Sequence, residues 1–308
     1  MQLLTETIKL NGFGPKNSMF LFLAGDMHCG DNGFHKKGWD YFTKDVNNRE
    51  NSKVFLLGDP LGFLNWRTGE AADAVARRTA GGKNLFEILN KAALERSESV
   101  VELLRPIQSR LCGTIQGNHS WEMKLGDDLI STDEYIAKQL KVPFAEGTIA
   151  CRFTLQTGGK RASFLPLLYH GSSGGKTETG DQNALIRVYS QYANVDIVAA
   201  GHTHHLYVKK LYDRGCFTAG TPMRLRAISG HIARTGSFCK DIKGGKDASY
   251  VERKMLPFAS LGYTRFQIWL ERDTRGLKDV VDVHIEGTAV GIGSGTSTTA
   301  SELLNERQ

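Results

Sequence analysis

Five short segments of this sequence carry side chains that commonly bind metal ions, and each segment lies at the end of an apolar run. The segments are Asp26-Met27-His28, Gly58-Asp59, Gly117-Asn118-His119, Tyr169-His170-Gly171 and Gly201-His202-Thr203-His204. Together they offer carboxylate, amide and imidazole donors, a mixture that suits borderline divalent ions such as manganese, iron or zinc. The sequence therefore predicts a site for divalent metal ions.

The spacing within two of these motifs is informative. One residue separates Asp26 from His28, and one separates His202 from His204. On extended backbone this spacing places both side chains of a pair on one face. Each motif alone is common by chance, and Gly-Asp after a strand is an ordinary turn. The order of the five motifs and their placement after apolar runs favour a functional site over coincidence.

Apolar runs of strand length precede the motifs. They include Met19–Ala24, Val54–Leu57, Leu111–Ile115 and Asp196–Ala200. Such continuous runs predict strands that are buried on both faces. Side chains that follow strands of this kind converge at one edge of an α/β sheet. The sequence therefore predicts a layered α/β protein with a mixed sheet and one site at the strand ends.

Helical periodicity is clearest over Leu85–Leu104, where apolar residues recur at helical spacing and a proline soon follows. Ser131 and Glu134 form a capping box, which predicts a helix that ends at Leu140. A third helix is predicted over Leu185–Tyr192. These helices would cover the faces of the sheet.

Glycine-containing turns between alternating runs predict two β-hairpins. One joins Ala150–Leu155 to Ala162–Tyr169, and the other joins Leu206–Tyr212 to Cys216–Ala219. Two further strands are predicted near the end of the chain, at Thr264–Leu270 and Val280–Ile285.

The chain has 308 residues, which corresponds to one large domain or two at most. We expect a single domain over residues 1–286. The stretch from Asp59 to Asn118 exceeds what one crossover helix needs, so we expect a helical insert at about residues 62–110. Gly, Ser and Thr dominate residues 287–308, which predicts a flexible tail.

Composition excludes several classes of protein. Hydrophobic residues make up 40% and charged residues 23%, as in globular rather than disordered proteins. No apolar run approaches the ~20 residues that span a bilayer, and the start of the chain lacks the pattern of a signal peptide. Five cysteines without regular spacing argue for a reducing compartment. We therefore expect a cytoplasmic protein without membrane contact.

The order D-x-H, G-D, G-N-H, H and G-H-x-H, from Asp26 to His204, resembles the calcineurin-like metallophosphoesterase superfamily. The resemblance implies a four-layer α/β/β/α sandwich with mixed central sheets and two metal ions at the strand ends. It implies that one ion is held by Asp26, His28 and His204, and the other by Asn118, His170 and His202.

The same resemblance implies that Asp59 bridges both ions. It also implies that His119 binds a phosphate oxygen or protonates the leaving group. The reaction would be hydrolysis of a phosphate ester by attack of a metal-bound hydroxide. The cofactors would be two divalent ions, with manganese expected first and iron or zinc as alternatives.

Two positions depart from the family pattern. The family commonly has a second aspartate three residues after the bridging one, but Pro60, Leu61 and Gly62 follow Asp59 here. An acidic residue often follows G-N-H in the family, whereas this chain has Ser120. The first departure bears on the orientation of His119, and hence on the class of leaving group.

The missing aspartate and a basic insert favour a phosphodiester substrate in a nucleotide or nucleic acid. The chain has 39 Lys and Arg against 33 Asp and Glu, a net charge of +6, which permits such a partner but also fits ordinary surface charge. Phosphomonoester hydrolysis at the same site is the alternative. A non-catalytic metal-binding interaction module is less favoured, because every ligand position is filled.

Three further residues are candidate substrate contacts. Arg67 lies among aromatic and basic residues of the insert, which could stack on bases or simply pack and face solvent. Lys176 lies in a glycine-rich segment after His170. It could contact the substrate, or it could simply face solvent. Trp121 follows the G-N-H motif and could line the site or join the core.

Overall fold

The computed structural model describes residues 1–31, 33–62, 85–171, 177–192, 194–218, 224–240, 260–273 and 280–293. Its helices are α1 (Lys36–Asn47), α2 (Leu85–Leu104), α3 (Thr132–Leu140) and α4 (Glu178–Gln191), with a 3-10 helix over Arg105–Arg110. Its first eight strands are β1 (Gln2–Lys9), β2 (Met19–Ala24), β3 (Ser52–Leu56), β4 (Leu111–Ile115), β5 (Glu122–Leu125), β6 (Asp128–Ser131), β7 (Phe144–Ala145) and β8 (Thr148–Thr157). The others are β9 (Lys160–Phe164), β10 (Pro166–Tyr169), β11 (Ile197–Ala200), β12 (Leu206–Thr218), β13 (Arg224–Thr235), β14 (Gly262–Asp273) and β15 (Val280–Gly291).

Two large mixed sheets and one small hairpin contain all these strands. Sheet one has the order β1-β8-β10-β11-β13-β12, with β9 paired to β8. Sheet two has the order β15-β14-β2-β3-β4-β7. Neighbours β2, β3 and β4 are parallel in sheet two, and β10 and β11 are parallel in sheet one. The small hairpin pairs β5 with β6.

The two sheets pack face to face. Leu21 and Phe55 of sheet two share a buried cluster with Ile149, Leu168 and Ile197 of sheet one. Burial on both faces explains the continuous apolar runs of these strands, because alternate side chains face opposite layers.

Helices cover the outer faces of both sheets. Phe22 of β2 packs in a cluster with Trp39 of α1 and Leu104 of α2. On the far side, Leu167 of β10 packs with Leu185 of α4. The layers therefore follow the order helix, sheet, sheet, helix, and the predicted four-layer α/β/β/α sandwich is confirmed.

The predicted helices are all present. The α2 bounds agree with the prediction, and Ser131 Oγ accepts a hydrogen bond from the Glu134 N–H (3.1 Å) at the start of α3. Helix α4 begins earlier than predicted, after Thr177, whose Oγ1 caps the Gly180 N–H (3.2 Å). Its polar first turns have little apolar periodicity, so the sequence pattern marked only its second half.

The first predicted hairpin is confirmed. Strands β8 and β9 pair antiparallel around Gly158 and Gly159, both at positive φ. The run Ala162–Tyr169 is two strands rather than one, since β9 ends at Phe164 and β10 begins at Pro166.

The second predicted hairpin is wrong. Strand β12 runs without a turn through 213–215 and pairs antiparallel with β13. The register shifts between Leu211 and Arg214, so the ladder has a bulge at residues 212 and 213, where the Asp-Arg-Gly sequence begins.

The end of the chain and the insert are described in part. Strands β14 and β15 form the predicted antiparallel pair, and β15 continues to Gly291. The boundary predicted at residue 287 is therefore too early for a tail. Residues 294–308, and residues 63–84 of the predicted insert, lie outside the described residues. None of the described helices combines the length and apolar character needed to cross a membrane.

Candidate metal centre

The five motifs meet at one place because each directly follows a strand. The strands that precede them end at Ala24, Leu56, Ile115, Tyr169 and Ala200. In each sheet, the strands concerned are parallel, so their carboxyl ends lie on the same edge. The predicted convergence of the motifs is therefore observed.

One group of ligand atoms comes from Asp26, His28 and His204. His28 Nε2 lies 3.1 Å from His204 Nε2. Asp26 Oδ1 lies 3.4 Å from His204 Nε2 and 4.0 Å from His28 Nε2. Two atoms bound to one ion at about 2.0–2.1 Å lie about 3.3 Å apart at a tetrahedral angle. The three atoms therefore surround a volume suited to one cation.

A second group comes from Asp59, His170 and His202, joined by Asn118. Asn118 Oδ1 lies 2.8 Å from His170 Nε2 and 2.7 Å from His202 Nδ1. Asp59 Oδ2 lies 3.2 Å from His170 Nε2. All seven predicted ligands are thus brought into two adjacent groups.

The hydrogen bonding of His170 tests whether a cation fits the second group. Its Nδ1 lies 2.6 Å from the Leu57 carbonyl oxygen, which can only accept, so Nδ1 carries a proton. In a neutral ring, Nε2 then points a lone pair at the oxygens of Asn118 and Asp59. A cation among these three atoms removes the repulsion. Without a cation, burial would lower the pKa of His170, but the hydrogen bond and negative charge of Asp59 have the larger effect. They raise the pKa of His170 to about 9.

The first group passes a similar test. Asp26 Oδ1 is buried and accepts no hydrogen bond among the described residues. Burial and the neighbouring His204 lower the pKa of His28 to about 4, so its imidazole is neutral near pH 7. A neutral imidazole and an unsatisfied carboxylate oxygen are the forms that ligate a metal ion. These residues therefore fit a divalent ion.

The backbone at the candidate ligands has an unusual conformation. Five of the seven have positive φ: Asp26 (50°), His28 (48°), Asp59 (49°), His202 (72°) and His204 (58°). Asp and His tolerate this region better than most residues, but it still costs of the order of 1–3 kcal/mol each. Such strain concentrates where the surrounding structure fixes side chains for function.

Hydrogen bonds between the motifs hold this conformation. The His202 N–H donates to Asp26 Oδ2 (2.8 Å), and the His119 N–H donates to Asp59 Oδ1 (2.9 Å). The His28 N–H donates to the Asp59 carbonyl (3.1 Å). Each carboxylate therefore binds a loop with one oxygen and leaves the other directed at the histidines.

Glycines allow the motif loops to approach one another. A Cβ on Gly117 would lie 1.9 Å from Asp59 Oδ1, and one on Gly58 would lie 2.3 Å from His170 Nδ1. No side chain can be accommodated at these positions without moving a ligand. Close approach, rather than flexibility, therefore explains the glycine of the G-N-H motif.

His119 lies at the open side of the site. Its side chain is 30% exposed, and its Nε2 lies 4.0 Å from Asp59 Oδ2. Its ring meets the His28 ring edge-on, with centroids 5.0 Å apart. It belongs to neither ligand group, so its imidazole is available to a bound substrate.

Residue 62, where the family commonly has a second aspartate, lies against a carboxylate from another loop. A Cβ on Gly62 would lie 2.2 Å from Asp31 Cγ. The Asp31 side chain therefore occupies the space that a side chain at position 62 would need.

The candidate substrate contacts are less well defined by the structure. Trp121 is partly buried and packs against the cluster between sheet two and its helices. The backbone N–H of Trp121 donates to Thr132 Oγ1 (3.1 Å). Arg67 and Lys176 lie outside the described residues.

A buried acid outside the five motifs also contacts the site. Asp133, in the first turn of α3, accepts a hydrogen bond from the Gly117 N–H (2.8 Å) and thereby holds the G-N-H loop. In the sequence it appeared only as an acidic residue inside a capping box. Its role depends on a contact 16 residues away.

Comparisons with known proteins find similarity only among solved structures. Neither a family model nor a curated protein matches it. Among solved structures, calcineurin-like phosphoesterase YfkN from Bacillus subtilis is 10% identical, with a TM-score of 0.42 over 94% of this chain and 95% of that one. Vps29 from Chaetomium thermophilum is 14% identical, with a TM-score of 0.33 over 88% and 98%. At TM-scores this low the similarities carry no functional weight.

Proposed function

We propose that this chain is a dinuclear metal-dependent phosphoesterase of the calcineurin-like superfamily. One observation carries the proposal. Two groups of three metal-ligand residues, each with its ligand atoms within 4.8 Å of one another, lie at the same strand ends. Asn118 adds an amide oxygen to the second group.

The bound ions would supply Lewis-acid charge to a phosphate and acidify a water molecule. The protein's part is to hold and balance that charge. Burial opposes ionisation of Asp59, but the hydrogen bond and charge of His170 lower the pKa of its carboxyl far below the usual range. Asp59 is therefore a carboxylate, and we propose that it bridges the two ions. Asn118 ligates without negative charge, which keeps the site attractive to an anionic substrate.

We assign His119 to the substrate side of the site. The imidazole is partly exposed and sits beside both Asp59 and His28. From there it can donate a hydrogen bond to a phosphate oxygen or a proton to a departing alkoxide. Its backbone N–H is fixed by Asp59 Oδ1, so its position is linked to that of the bridging carboxylate.

A phosphodiester in a nucleotide or nucleic acid is the substrate class that we favour. The net charge of +6 supports a phosphate-rich partner. The donors of both groups are oxygen and nitrogen atoms without a thiolate, which supports manganese first, with iron or zinc as alternatives.

The test combines metal analysis with two esters. Protein loaded with manganese, iron or zinc should contain two ions per chain and hydrolyse an aryl phosphodiester faster than the matched monoester. One ion or none, or activity that chelators leave unchanged, would overturn the dinuclear proposal. Faster hydrolysis of the monoester would identify a phosphatase instead.

A further inference from the structure

A buried ion pair lies directly behind the G-H-x-H motif. It joins Asp181 of α4 to Arg234 of β13, whose side chains are 0% and 2% exposed. Arg234 donates from Nε to Asp181 Oδ2 (3.0 Å) and from Nη2 to Oδ1. The pair is therefore bidentate, the arrangement that fixes a guanidinium most firmly in position.

Asp181 also holds the loop that carries two of the metal ligands. Its Oδ2 accepts hydrogen bonds from Thr203 Oγ1 (3.4 Å), His205 Nδ1 (3.2 Å) and Tyr207 OH (3.2 Å). Residues 203 and 205 alternate along the chain with His202 and His204. One side of the loop is therefore held by Asp181, while the other presents histidines to the metal groups.

Arg234 reaches the same loop and its neighbour. Its Nη1 donates to the Gly201 carbonyl oxygen (2.5 Å). A Cβ on Gly171, directly after the ligand His170, would lie 3.0 Å from the same Nη1. The guanidinium therefore lies under the backbone that precedes His202 and the backbone that follows His170.

The held loop is strained, which explains why it needs such support. His202 and His204 have φ values of 72° and 58°. Strained backbone of this kind persists only where surrounding contacts over-determine it. A buried ion pair by itself is weak evidence for stability, because well-packed apolar residues often replace one at no loss. Its directional contacts to the loop are what apolar residues cannot reproduce.

We propose that Arg234 and Asp181 are positioning residues for the metal centre, which hold His202 and His204 in ligating geometry. This inference rests on the proposed metal-binding function. It goes beyond that function by naming residues outside the motifs that set the affinity for metal.

Cobalt binding provides a test that does not depend on hydrolysis. Arg234→Met keeps an unbranched apolar stem but removes the charge and all the donors, and Asp181→Asn keeps the shape but removes the charge. Loss of a residue that orients metal ligands typically costs about 10–100-fold in affinity. We expect a loss in this range for both variants, with altered visible absorption of bound cobalt.

The matched control is Arg265→Met. Arg265 donates from Nη1 to Asp45 Oδ2 (2.7 Å) in a partly buried pair away from the metal groups. This variant should bind cobalt like the wild type. Arg234→Lys, which keeps the charge and one of the contacts, should recover part of the affinity that Arg234→Met loses.

The outcomes separate the two proposals. Wild-type cobalt affinity and spectrum in folded Arg234→Met would overturn the positioning role and leave the metal site intact. If Arg234→Met does not fold, the same result with Asp181→Asn decides. Absence of cobalt binding by the wild type would overturn the proposed function itself, and this inference with it.

Discussion

His28 Nε2 lies 3.1 Å from His204 Nε2, although 176 residues separate the two along the chain. Two imidazole nitrogens at this distance must share either a proton or a metal ion, since two lone pairs repel each other. Burial and the charge of His204 lower the pKa of His28 to about 4, so its imidazole is neutral near pH 7 and its Nε2 lone pair can accept either a proton of His204 or a cation. The fold therefore brings together two imidazole nitrogen donors at a distance that suits shared coordination of one cation.

Asp59→Asn should remove activity and weaken metal binding. A neutral amide cannot replace the carboxylate whose Oδ2 lies 3.2 Å from His170 Nε2. Because a direct ligand should matter more than its supporting residues, we expect kcat/KM to fall at least ~100-fold. Metal content and kinetics of the purified variant check this, with Asp40→Asn on the exposed side of α1 as control. Near-normal turnover and two ions per chain would contradict the bridging role.

Gly117→Ala should disrupt the site as strongly as loss of a ligand. The added Cβ would lie 1.9 Å from Asp59 Oδ1, so either the loop or the carboxylate must move. Gly147→Ala is the matched control, because a Cβ there meets nothing within 4 Å. Metal titration of both variants should show weakened binding only for Gly117→Ala. Equal affinities would mean that the loop relaxes without displacing Asp59.

The convergence of the candidate ligand residues could be predicted from the sequence because local signals mark them. Each is a polar residue that follows an apolar strand. The carboxyl ends of parallel strands lie at the same edge of a sheet, so this convergence does not depend on the rest of the chain. The same reasoning predicted the layers, since alternate residues such as Leu21 and Phe22 must face different apolar environments.

The supporting residues could not be predicted in this way. Asp181 lies in a helix and Arg234 in a strand, 53 positions apart, and neither adjoins a motif. Their pairing follows only from the completed sandwich. The false hairpin at 213–215 has a related cause, because the pairing of β12 with β13 overrides a local turn signal.

Asp133 should make stability depend on pH. Burial raises the pKa of its carboxyl from the usual 3.8 to about 7, against the smaller effect of the Gly117 N–H. The folded state then holds a proton that the unfolded state releases, so the stabilisation is complete below pH 4 and is lost as pH rises through 7. We expect the free energy of unfolding of metal-free wild type, relative to Asp133→Asn, to fall over this interval. Urea unfolding at several pH values measures it, and a constant difference would contradict the prediction.

His119→Ala should lose more activity on an alkyl phosphodiester than on an activated aryl one. Positioned proton transfer is worth about 10²–10⁴-fold, and an aryl oxide needs little protonation to depart. Metal content should stay at the wild-type level, because His119 belongs to neither ligand group. Measuring kcat/KM on both esters decides the role, with His284→Ala on exposed β15 as control. Equal losses would leave His119 as a phosphate clamp only, and no loss on either ester would remove it from the mechanism.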